Sequence, residues 1–314
     1  MENKNMNFEE FATKMQNDIS AEFEVGTKME PVTKPTGSYS GMIIMISDTL
    51  GMSVNMDEAY EVYQNNGYNA SFCHVAEMVN NGFQMSNPVM SVATSQIMDY
   101  SWVKSHLRLQ LVPFSGDMTD IPHKVIAEDM ALIYRIELNA GTENGCSTVI
   151  TNQLMAAYGI THEQLHKDAL IAVQLYHPAV FEPLETRISA LAAETNGNTI
   201  FPMPSSPLRI ATSNDGCWGA SVIVYPGFLE RVRESLGGDF YILPSSIHEV
   251  LIIPMANSMG NLSPAELDSM VSEINANEVA PDEILSNHAY AYRRGQIIAA
   301  SDYPVTDVHA GRAM

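Results

Sequence analysis

Three short stretches of this chain carry side chains whose types and spacing suit chemistry. His162-Glu163-Gln164-Leu165-His166 fits the pattern H-E-x-x-H. Two imidazoles one helical turn apart can hold a zinc ion, and the carboxylate between them can polarise its water. That reading makes a metal-dependent hydrolase, with His162 and His166 as ligands and Glu163 as base. Pro244-Ser245-Ser246-Ile247-His248-Glu249 places a hydroxyl and an imidazole two residues apart, as a nucleophile and its base require. Ile121-Pro122-His123, followed by Glu128-Asp129, offers a histidine and carboxylates for proton transfer.

Each stretch also has a plainer reading. Thr161 suits a helix N-cap, Gln164 stands at N3, and Ile160 with Leu165 makes a hydrophobic staple. The two histidines then fall at a helix start, where the apolar stripe is Leu165, Ala169, Ala172 and Tyr176. Ser246 and His248 would share one face of a strand with no third group to align them. No G-x-S-x-G elbow occurs anywhere. The proline and serines read as a turn whose hydroxyls satisfy local backbone donors. His123 reads as a loop histidine ahead of an acidic strand edge. No residue is therefore assigned as catalytic. Ser245, Ser246, His248, Glu249, His123 and Asp129 remain as binding candidates, and His162 and His166 as the alternative metal pair.

The elements that must position these groups follow from periodicity. Phe8, Phe11, Met15 and Ile19 share a helical face behind Asn7 and Glu10, a capping box. A strand is expected near Tyr39–Ser47. Helices follow over Met56–Gln64 and Ala70–Val79, broken by Asn65-Asn66-Gly67, and a polar connection covers Asn80–Asn87. Asp99–Leu111 reads as a helix, or a helix and strand, leading into Val112-Pro113-Phe114. A pattern then occurs twice. Leu132–Leu138, Asn144-Gly145 and Cys146–Ile150 make strand, turn and strand before a helix from Asn152 that ends at Gly159. Leu208–Ala211, Asp215-Gly216 and Gly219–Tyr225 repeat it before a helix from Pro226 to Gly237. Asp239–Pro254 reads as a hairpin with a central strand at Val250–Ile253. Ser263-Pro264-Ala265-Glu266 opens a helix, Ala280–Glu283 a shorter one, and Ala289–Tyr292 a strand.

Hairpins dominate, so the fold class is α+β: mainly antiparallel sheets built from two β-turn-β-α units with helices packed against them. The divisions expected are 1–85, an N-terminal αβ segment; 86–193, the first unit; 194–298, the second unit with C-terminal helices; and 299–314, a loose tail. Neither GxGxxG after a strand nor GxxxxGK[ST] is present, and no cofactor is implied.

Composition narrows the function classes. The chain of 314 residues has a net charge of −21, from 37 acids against 16 lysines and arginines. No basic residue stands between Lys34 and Lys104, or between Arg233 and Arg293. Nucleic acid and anionic membranes require Lys and Arg to replace counterions, so neither is an expected partner. An acidic face keeps a protein soluble, or docks on a basic protein. Three cysteines without CxxC spacing, and an N-terminus without the layout of a signal peptide, suit a reduced cytoplasmic protein.

Three groups of segments carry a resemblance. They are Asp120-Ile121-Pro122-His123 to Glu128-Asp129-Met130-Ala131; Thr148–Asn152 with Gly159-Ile160-Thr161 and Leu165–Leu170; and Tyr225-Pro226-Gly227 through Leu243–Val250 to Val279–Ser286. Together they resemble a domain-of-unknown-function family of gut anaerobic bacteria and their mobile elements, most specifically in the proline-serine-serine hairpin. The resemblance implies a bacterial or phage intracellular protein and transfers no catalytic residue. With the acidic surface, it leads to the expectation of a non-catalytic binding protein.

Overall fold

The computed structural model describes residues 6–34, 37–45, 51–86, 96–114, 116, 118–138, 147–196, 206–257 and 262–303. The chain divides into two compact units, residues 1–96 and 97–314. Its sheets are antiparallel with helices packed on them, an α+β fold.

In the first unit, strands β1 (Thr27–Lys34), β2 (Gly37–Met45) and β3 (Gly51–Asn55) form one sheet in that order. Pro31 lacks an amide donor, which suits its place in the edge strand β1. Helices α1 (Phe8–Phe23), α2 (Met56–Asn66) and α3 (Tyr68–Ser86) accompany the sheet. The capping box of Asn7 and Glu10 is present, and the Asn55 side chain accepts from the amides of Asp57 and Glu58. Phe11, Met15 and Ile19 enter a core with Met42, Ile44, Val54, Tyr63, Val75 and Val79. α3 continues through the expected polar connection, because Val75, Val79 and Phe83 keep the helical period. Phe83 stacks on Phe23 with ring centres 6.0 Å apart.

In the second unit, β6 (Met130–Glu137) pairs with β4 (Leu107–Pro113), β5 (His123–Ala127) and β7 (Ser147–Val149). The helix His162–Tyr176 sits against β4. It buries Leu165, Ala169, Ala172 and Val173; Tyr176, expected in that stripe, is 53 % exposed. The other sheet has the order β13-β12-β10-β11-β9-β8, from Gln296–Ala299, Tyr290–Arg293, Phe240–Leu243, Glu249–Pro254, Arg209–Ser213 and Ala179–Pro183. The hairpin β10–β11 lies at its centre, with Ile242 opposite Ile252 and both fully buried.

Two expected elements take another form. Gly219–Val224 is a buried 3-10 helix, not a strand, because β11 and β8 already occupy both edges of β9. Ala280–Glu283 is a turn and not a helix, because the backbone from Glu283 to Ser286 pairs with Pro244–Ile247. Ala300–Asp302, expected in the loose tail, form a 3-10 turn that buries Tyr303. The Asn144-Gly145 turn, residues 197–205 of the expected linker and residues 304–314 lie outside the described residues.

Candidate functional site

The histidine pair is held at the start of its helix. The Thr161 hydroxyl accepts from the Gln164 amide at 3.2 Å, as the capping pattern predicts. The Gln164 side chain turns away from the cap and donates to Asp168 at 2.9 Å. His162 Nε2 and His166 Nδ1 both point at the hydroxyl of Tyr134 on β6, each 3.0 Å from it. Tyr134 is fully buried. Burial lowers the pKa of both imidazoles, and nearby Lys124 adds to the effect. Tyr134 is itself raised by burial. The point on which the two nitrogens converge is thus filled by a neutral phenol. Among the described residues no group of three or more His, Cys, Asp or Glu is arranged to hold a metal ion.

A larger polar cluster forms around Arg108, a residue of β4 with only 2 % exposure. Its guanidinium donates to both carboxylate oxygens of Asp215, at 2.6 and 3.2 Å, and to the Cys217 carbonyl at 2.6 Å. Glu137 Oε2 lies 3.6 Å away. His177 sits between the acids, with Nδ1 3.0 Å from Asp215 and Nε2 3.3 Å from Glu137. Its Nδ1 also touches Arg108, but one nitrogen cannot accept from arginine and donate to a carboxylate at once. An imidazolium donating to both acids satisfies the pair. Burial opposes that charge, but the bonds to Asp215 and Glu137 outweigh it and raise the pKa of His177. Burial likewise opposes the charge on Asp215, yet bonds from His177, Arg108 and Ser213 hold it far below the ordinary carboxylate range. Two cations and two anions neutralise one another around the buried Arg108, while Asp215 keeps an edge open to solvent.

The loop that supplies Asp215 continues through Cys217 and Trp218. Trp218 adopts φ +50°, a left-handed conformation rare for a bulky residue. Its ring is faced by Arg108 and Arg135, at 5.5 and 4.8 Å from the ring centre. Its amide meets His248 Nδ1 at 3.3 Å. Gly219 follows where no side chain fits: a Cβ there would lie 2.1 Å from Thr212 Oγ1 and 2.4 Å from the His248 carbonyl. The Cys217 thiol is half-buried and its pKa is raised by that burial, which disfavours the reactive thiolate.

A family model described as a family of unknown function (DUF5688) matches residues 8–294. This chain belongs to the DUF5688 family. No curated protein and no solved structure matches it.

The remaining candidate residues of this DUF5688 protein have defined places. Ser245 and Ser246, with 6 and 5 % exposure, lie in a buried loop and not on a strand. The Ser246 hydroxyl accepts from the His248 amide at 3.0 Å, and the Ser245 carbonyl accepts from Leu285 at 3.1 Å. His248 Nε2 lies 3.4 Å from Glu283. Glu249 is pushed upward chiefly by burial. Asp129 accepts from Ser286 at 2.6 Å and from Tyr290. His123 reaches the Ile121 carbonyl at 2.9 Å instead, so it and Asp129 have different partners.

Arg108, Glu137, His177, Asp215 and Trp218 were not singled out by sequence as a site. Arg108 and Asp215 stand 107 positions apart, and only the packing of β4 against the β9 loop joins them. The Asp215-Gly216 turn was the sole local signal, and it marked the loop without its chemistry.

Proposed function

We propose that this DUF5688 protein is a non-catalytic binding protein of the bacterial cytoplasm that takes a basic protein as partner through its acidic surface. The reading is carried by a contrast in where the charged and polar groups lie. The groups suited to acid–base or metal chemistry are engaged with one another inside the second unit: His162 and His166 on Tyr134, and His177 on Asp215 and Glu137. In the first unit Glu9, Glu22, Asp57, Glu58, Glu61 and Glu77 instead face water. Residues 1–96 contain twelve acids, four lysines and no arginine. Exposed charges of one sign steer an oppositely charged partner and fix its approach, in a salt-dependent way.

The test is capture of partners from the native host on immobilised protein, with elution by salt and measurement of bound metal in parallel. The expected outcome is a basic protein released as ionic strength rises, and a metal content near zero. One equivalent of zinc that disappears with His162→Ala, accompanied by hydrolytic activity, would instead establish the metal-dependent hydrolase.

A further inference from the structure

The first unit carries an open groove of about 680 Å³ between α1 and the start of α3. Lys14, Asp18 and Glu22 line it from successive turns of α1, and Tyr68 and Phe72 from α3. Its composition is specific: aromatic rings on one side and two carboxylates on the other. Lys14 shows how a cation sits there. Its ammonium lies 4.1 Å from the centre of the Tyr68 ring and 2.5 Å from Asp18 Oδ2. The Tyr68 hydroxyl donates to the same oxygen of Asp18 at 2.7 Å, which fixes ring and carboxylate together. A ring face beside a carboxylate is the arrangement that recognises an alkylammonium or guanidinium.

The internal cation is held loosely. Lys14 precedes Asp18 by four residues, the less favourable order for such a pair along a helix. The two side chains are 46 and 38 % exposed, so water screens their attraction. A partner's arginine can compete for the seat, stacking on the ring while Glu22, one turn beyond Asp18, receives a neighbouring basic residue.

We propose that this groove is where the basic partner docks, by seating an arginine or lysine side chain against Tyr68 and Asp18 in place of Lys14. The occupant follows from charge complementarity: the groove has two carboxylates against the single ammonium of Lys14, in a unit where acids outnumber lysines three to one. This inference rests on the binding-protein reading above and adds the site and the side chain it recognises.

Fluorescence anisotropy of a labelled oligoarginine peptide with the full-length protein separates the two claims. Wild-type protein should bind the peptide, more weakly as salt rises. Asp18→Asn with Glu22→Gln should weaken binding about tenfold, the loss two partly exposed ionic contacts together would give. Tyr68→Phe keeps the ring and should retain most of the binding, whereas Tyr68→Ala should lose it. Lys14→Met should strengthen binding by vacating the seat. Lys28→Met, which removes the same charge outside the groove, should change it much less. Circular dichroism and thermal midpoints confirm that each variant is folded. If Lys14→Met and Lys28→Met strengthen binding equally, or Asp18→Asn with Glu22→Gln leaves it unchanged, the groove assignment is overturned while the acidic-surface reading stands. Absence of peptide binding by the wild type would overturn both, and a salt-stable dimer sealing the groove would overturn the groove assignment.

Discussion

The Tyr134 hydroxyl has one hydrogen to give, and two histidines face it. One imidazole must accept that hydrogen, which requires that ring to be neutral, while the other donates its own N–H to the oxygen. The lowered pKa of each ring agrees with this arrangement. Tyr134→Phe leaves both nitrogens without their partner and should cost about 1–3 kcal/mol in urea denaturation. Because the folded state resists protonating His162 and His166, the unfolded chain takes up more protons below its own histidine pKa of about 6.5. Stability should therefore be full above that pH and fall as pH drops below it. His177 acts in the opposite sense and in another window. Its folded pKa is raised, so its contribution is complete below about 6.5 and fades as pH rises through the folded value. Replacing both His162 and His166 with Gln should flatten the acid limb of the stability profile; an unchanged limb would remove the neutral-imidazole account. Gly219 is a second residue on which much depends. Gly219→Ala must displace backbone atoms of Ser213 and His248, not merely a side-chain tip, and should cost at least about 1–3 kcal/mol through overpacking, read as a lower denaturation midpoint.

At the scale of elements, the hairpin from Phe240 to Pro254 was legible because Val250–Ile253 is continuously apolar, as a strand covered on both faces must be. Ile252→Ala should open a cavity there and cost about 2–5 kcal/mol, measured as a shift in the denaturation midpoint without loss of cooperativity. The helix at His162 was legible from its cap, and Thr161→Ala should cost about 1 kcal/mol, well below the Ile252 variant. Other elements were hidden for identifiable reasons. Gly219–Val224 has the composition of a strand, but the positions beside β9 are filled by segments from elsewhere in the sequence. Ala280–Glu283 carries a helix-start signal, and long-range pairing of Glu283–Ser286 with the serine loop overrides it. β1 mixes lysines, Glu30 and Pro31 with single apolar residues, so it shows no clean alternation and was not expected. Local patterns revealed the elements whose stability is local or whose burial is complete. Those that depend on a distant neighbour were misread or missed, and the Arg108 cluster belongs with them.

Across the whole molecule, electrostatics separates interior from surface. Within the second unit, Arg108 and His177 are matched by Asp215 and Glu137, so the charge-balanced cluster adds little to the external field. The chain as a whole carries 37 acids against 16 lysines and arginines, and Glu9, Glu22, Asp57, Glu58, Glu61 and Glu77 are among the acids that face water. This excess was fully legible from composition. Its placement was legible only in part, since the gaps in basic residues located it along the chain and the groove between α1 and α3 required the fold. Binding to DNA or RNA draws most of its strength from counterions released as Lys and Arg replace them on phosphates. The chain has no Lys or Arg to offer over residues 35–103 and 234–292, and its carboxylates repel the phosphates. Gel-shift titrations with duplex DNA and single-stranded RNA should accordingly show no complex at micromolar protein in physiological salt. Lowering the salt should not rescue binding, because weaker screening strengthens repulsion as much as it would strengthen attraction. A complex that forms and grows tighter at low salt would mean that the scattered basic residues gather into a patch strong enough to overcome the net charge.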